Sequence, residues 1–111
     1  MSVEIQERVR TTEDIQPPRK FNLYAINNDY TSFDEVVWIL THALGMSESV
    51  AAELTMKVDR EGRAKLNPRP MPKDLAEALL TKINDTKRTL ASMNPFRANQ
   101  VMMLKFVVKE D

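Results

Sequence analysis

Residues 27–31, Asn-Asn-Asp-Tyr-Thr, crowd two amides, a carboxylate and two hydroxyls into five consecutive positions. Side chains of these types make short-range hydrogen bonds, and their ordinary use is to satisfy backbone groups in a turn or to cap a helix. Local spacing does not decide between that use and a binding site. Elsewhere the chain offers little reactive chemistry. Cysteine is absent and histidine occurs once, at His42, without a companion ligand, so disulfides, thiolate metal sites and cysteine nucleophiles are excluded. There is no nucleophile-base pairing and no phosphate-cradling loop, which argues against an enzyme; no cofactor or metal is expected.

The elements around this polar knot follow from periodicity. In "KFNLYAIN", Phe21, Leu23 and Ala25 alternate with Tyr24 and Ile26, the period of a strand. Thr31 and Ser32 each stand three residues before an acid, Asp34 and Glu35, so either can open a capping box. The helix that follows runs to about Leu44, with Val36, Val37, Ile39, Leu40, Ala43 and Leu44 as its apolar stripe and Gly45 as its C-terminal cap. A second helix starts after Ser47, buries Val50, Ala51, Leu54 and Val58, and ends near Gly62. "RAKL" suits a short strand, and the three prolines of "NPRPMPKD" make a stiff loop. Leu75, Ala76, Leu79, Leu80, Ile83 and Leu90 mark a third helix to about Ala91, and "VMMLKFVV" (101–108) reads as a last strand. The order β-α-α-β-α-β predicts an α+β sandwich of a small sheet against helices.

At 111 residues the chain holds one modest core. Residues 1–19 mix both charge signs, contain few large apolar residues and end in "PPR", the composition of a flexible tail ahead of a folded domain at 20–111. Lys+Arg and Asp+Glu are both 16, so no whole-protein field favours nucleic acid. No apolar run has signal-peptide or bilayer-spanning length, and the chain is expected to be soluble and cytoplasmic, with no membrane partner.

From Phe21 to Ala64 the chain resembles the Clp protease adaptor family, ClpS. The family's strand, Asn-Asp-Asp-Tyr-Thr and apolar helix appear as Asn27, Asn28, Asp29, Tyr30, Thr31 and "SFDEVVWIL". Its alanine-rich helix ending in Val-His and then Gly-Lys-Ala appears as "AAELTMKVDREGRA". The resemblance implies a three-stranded antiparallel sheet packed on three helices. It also implies a non-catalytic, monomeric adaptor that binds N-terminal Leu, Phe, Tyr or Trp of substrate proteins. Such an adaptor delivers them to an AAA+ Clp unfoldase by docking on the unfoldase's N-terminal domain. An α-amino clamp and a side-chain pit are implied. The clamp falls on Asn27, Asp29 and Asp59, and the pit on Thr31, Phe33, Val36, Thr55 and Val58. Asn28 and Met102 are candidate neighbours, and Asp74, by family position, a docking residue.

The chain also departs from its relatives. Asp59 stands where the family has the clamp histidine, and Asn28 replaces the second residue of Asn-Asp-Asp, so two carboxylates would face one amine. Such a pair repels when empty and is relieved by a bound ammonium. The plain alternative makes Asp59 a solvated helix-end residue and the clamp broken. Phe33 and Thr55 stand where methionines are frequent, which keeps volume and changes shape. Two other functions remain open. One is a diverged regulator that docks on an unfoldase or another partner without binding chain ends. The other is an RNA binder using the local excess of Lys57, Arg60, Arg63, Lys65, Arg69 and Lys73, although base-stacking aromatics are missing there.

Overall fold

The structure, a computed structural model, describes residues 18–111; the expected tail therefore lies outside the described residues except for Pro18 and Arg19. Strand β1 (Phe21–Ile26) is the centre of a three-stranded sheet of order β2-β1-β3, with β2 at Arg63–Lys65 and β3 at Lys105–Glu110. Both neighbours run antiparallel to β1: Tyr24 pairs with Lys65, Phe21 with Glu110 and Ile26 with Lys105. This arrangement is the expected α+β class.

Helices α1 (Phe33–Leu44), α2 (Glu48–Glu61) and α3 (Lys73–Met93) supply the other layer. The period-2 pattern turns Leu23 and Ala25 into the core, where they join Ile39, Leu40, Ala43, Ala51, Val58 and Ile83. A smaller cluster of Phe21, Met71 and Ala76 closes the opposite end of β1, where Phe21 bridges to Met71. The proline loop is pinned by Asn67, whose Oδ1 accepts from the Leu23 amide at 2.8 Å while its Nδ2 donates to Asn22 Oδ1 and to the Arg69 carbonyl.

The start of α1 resolves the choice between two caps. Ser32 is the cap: its hydroxyl accepts from the Glu35 amide, and the Glu35 carboxylate accepts from the Ser32 amide at 2.9 Å. Gly45 and Gly62 end α1 and α2 with φ of 70° and 88°. Gly62 matters most, because its carbonyl accepts from the Asn27 amide at 2.8 Å and so brings the end of α2 beside the polar knot. A methyl group there would meet no atom within 4 Å, so the cost of Gly62→Ala is conformational. A loss of about 1–2 kcal/mol is expected, read as a lower denaturant midpoint at unchanged slope.

One expected strand is shortened. Val101 and Met102 belong to a fourth, short helix, α4 (Ala98–Met102), preceded by a 3-10 turn at Pro95–Arg97, and β3 begins only at Lys105. A short apolar run does not reveal its period. Here the carbonyls of Gln100, Met103 and Leu104 are taken by donors from Thr31, Asn28 and Lys87, which hold the segment away from the sheet.

Candidate functional site

At the C-terminal end of β1 the polar knot, the start of α1 and the end of α2 surround a cavity of about 180 Å³. Its apolar wall is made by Ala25, Ile26, Phe33, Val36, Val58 and Leu104, and its polar side by Asn27, Asn28, Thr31, Ser32, Thr55 and Asp59. A dry apolar void of roughly 150 Å³ admits a benzene ring, so this space suits one bulky side chain.

The polar knot is rigidly tied. Asn27 Oδ1 accepts from the Asn28 amide at 2.8 Å, and Asn28 Oδ1 accepts from the Tyr30 amide at 2.6 Å. Asn28 Nδ2 donates across to the Met103 carbonyl at 2.7 Å, and Thr31 Oγ1 donates to the Gln100 carbonyl at 3.3 Å. Arg97 adds a bidentate pair to Glu35, with 2.7 and 3.0 Å contacts, and donates to the Tyr30 carbonyl at 2.8 Å. Lys87, buried in α3, donates to the Leu104 carbonyl at 2.5 Å and so holds the wall that Leu104 contributes; burial pushes its ammonium pKa down.

The Arg97 hydrogen bond, helped by that from Ser32, holds the Glu35 carboxyl below its ordinary value against the opposing effect of burial. A depressed carboxyl pKa adds stability that is fully present above the unfolded value and is lost as pH falls through the lowered folded one. Acid unfolding of Glu35→Gln should therefore be less steep over that range than that of the unaltered chain, as followed by circular dichroism.

Of the residues singled out in the sequence, Asn27, Asn28, Thr31, Phe33, Val36, Thr55, Val58 and Asp59 line the one cavity. Asp29 is exposed and outside the lining, so a single carboxylate, Asp59, reaches it. Met102, on α4, is 43 % exposed and does not line it either; Leu104 contributes instead. Asp74 is exposed in the first turn of α3, towards the Phe21–Met71 end of β1 and away from the cavity. Ala25, Ile26, Ser32 and Leu104 are additional lining residues. Ala25, the small residue on the inward face of β1, carried a usable signal, whereas Leu104 is placed by tertiary ties alone. His42 stacks on Trp38 with ring centroids 3.9 Å apart. Among the described residues no acid, histidine or cysteine cluster could hold a metal, and no helix is long and apolar enough to cross a membrane.

Comparison with known proteins points the same way. The family model for the ATP-dependent Clp protease adaptor protein ClpS matches residues 16–103. A ClpS adapter from Nautilia profundicola is 32% identical over 80 residues, covering 72% of this chain and 80% of the relative. One from Nitrosomonas eutropha is 30% identical over 71 residues, covering 64% and 67%. Among solved structures, ClpS2 of Agrobacterium tumefaciens bound to L-phenylalaninamide superposes with a TM-score of 0.68 at 21% identity, covering 86% of this chain and 100% of that one. At that identity the likeness speaks for the fold.

Proposed function

Because the chain belongs to the ClpS family of ATP-dependent Clp protease adaptors, we propose that its cavity receives the first residue of a substrate protein, a bulky hydrophobic N-degron, for delivery to an AAA+ Clp unfoldase. The observation that carries the reading is the placing of Asn27, Asn28 and Asp59 beside an apolar pit sized for one side chain. The solved relative's ligand, L-phenylalaninamide, combines a free α-amino group with a phenyl ring, the two features that such a site would grip.

An α-amino group with a pKa of about 7.7–8.0 is largely cationic at neutral pH and offers three N–H donors. Asp59 supplies the negative charge, and Asn27 and Asn28 supply neutral oxygens. Asn28 is suited to an amide because the Met103 carbonyl needs its Nδ2 donor, which a carboxylate would lack. The charge is accordingly carried on the opposite wall, at Asp59. Charge-assisted hydrogen bonds contribute about 1.5–3 kcal/mol each and a buried Leu or Phe a similar amount. After association entropy this supports affinity near 1 μM, about −8.2 kcal/mol. An internal residue brings no ammonium and forgoes the charge-assisted contact with Asp59 and the hydrogen bonds to the two amides, which selects chain ends. The exposed start of α3 around Asp74, far from the pit, is the proposed unfoldase-docking face.

A delivery assay tests this reading. With a Clp unfoldase and its peptidase, the protein should accelerate degradation of a reporter beginning with Phe or Leu several-fold over one beginning with Met. Equal rates for all three would overturn the proposal and leave a ClpS-family protein that acts without reading the first residue.

A further inference from the structure

Thr55 stands apart among the residues around the pit: it is 5% exposed and is the only buried polar side chain in the lining. Its hydroxyl hydrogen is already committed, because Oγ1 donates to the Ala51 carbonyl one turn back at 2.7 Å. Among the described residues nothing donates to Thr55 Oγ1 in return, so its remaining capacity is that of an acceptor. On α2, Thr55 lies three and four residues before Val58 and Asp59, which places all three on one side of the helix. Asp59 and Thr55 are separated along the helix by roughly 6 Å, the rise of four residues, which is of the order of the length of an aromatic side chain.

We infer that Thr55 makes the pit selective for a first residue whose ring carries a hydrogen-bond donor, tyrosine or tryptophan, over phenylalanine and leucine. The inference rests on the amine-site reading above and deepens it. A phenyl or isobutyl group that fills the pit expels water and leaves the Thr55 acceptor unpaired. A phenol O–H or an indole N–H in the same space restores its partner. Sites with a buried polar group reject analogues that lack the matching group, because desolvation of the orphan is costly. The expected discrimination is about fivefold to a hundredfold, the range spanned by one satisfied or orphaned buried hydrogen bond.

The test is a cycle of two peptides and three proteins. Peptides identical except for a first residue of Tyr or Phe, each with an N-acetylated twin, are titrated into the unaltered chain, Thr55→Val and Thr55→Ser; Trp and Leu peptides extend the series. Tyr should bind at least fivefold tighter than Phe to the unaltered chain. Thr55→Val, which keeps the branched shape and removes the acceptor, should bring that ratio close to one. Thr55→Ser, which keeps the hydroxyl, should retain the preference, whereas a purely helix-bracing role for the hydroxyl would shift Tyr and Phe affinities alike and leave their ratio unmoved in Thr55→Val. Free-terminus binding with Phe equal to or tighter than Tyr, or with a ratio unmoved by Thr55→Val, would overturn this inference and leave the amine site standing. Binding of no free terminus would overturn the amine site and this inference with it.

Discussion

Asp59→Asn should weaken binding of a free Leu or Phe terminus by about 10-fold to 100-fold, with the thermal unfolding transition unchanged. The side chain is exposed at the end of α2 and makes no intramolecular hydrogen bond among the described residues, so the fold does not depend on it. What it supplies is negative charge at the cavity, and loss of a charge-assisted contact of about 1.5–3 kcal/mol sets the size of the effect. The residual binding of Asp59→Asn should exceed that of an N-acetylated peptide to the unaltered chain, because the free ammonium still donates to the Asn27 and Asn28 oxygens whereas the acetylated end loses them together with the ion pair. Asp59→His alone, which installs the family's residue, should not rescue binding, since Asn28 leaves the site without any carboxylate. Adding Asn28→Asp returns the charge but removes the donor to the Met103 carbonyl, so the double variant should recover only part of the affinity. Full affinity in Asp59→His would place the charge that holds the amine elsewhere, with Asp29 the first residue to test.

Val36→Phe should weaken bulky-terminus binding strongly without unfolding the protein. Val36 is 8% exposed, lies on α1 and lines the pit across from the strand. A ring at this position has an empty space of about 180 Å³ to enter, so overpacking is relieved there instead of in the core. It competes with the substrate side chain for the same volume, and removing the burial of a Leu or Phe costs about 1.5–3 kcal/mol, or roughly 10-fold to 150-fold in affinity. An exposed control on the same helix, Asp34→Ala, should leave peptide affinity within about twofold. Titration calorimetry reads both, and undiminished binding in Val36→Phe would show that the side chain is accommodated somewhere other than the pit.

Much of this architecture is legible because it is local. The alternation at Phe21, Leu23 and Ala25 writes β1, Ser32 with Glu35 writes the entry to α1, and Gly45 and Gly62 write the exits of α1 and α2. Eight lining residues are recognisable through the family resemblance, which covers both the 27–36 and the 55–59 stretches that the fold brings to one cavity. The remainder depends on contacts that spacing does not encode. Val101 and Met102 carry the apolar character of a strand, yet three side-chain donors from elsewhere claim the carbonyls around them and the segment coils instead. Leu104 reaches the pit because of that coil. Asn28 and Asp29 are adjacent and similar as turn residues, and only the Met103 carbonyl, 75 positions away in sequence, distinguishes the residue turned to the cavity side from the one left exposed. The Glu35–Arg97 staple, spanning 62 positions, has no local signature either.

The most direct test of the amine site is fluorescence anisotropy of a labelled peptide beginning with Phe, measured beside its N-acetylated twin. Micromolar binding of the free peptide with at least tenfold loss on acetylation is the predicted result. Equal affinity for the two, or no binding to either, would contradict it.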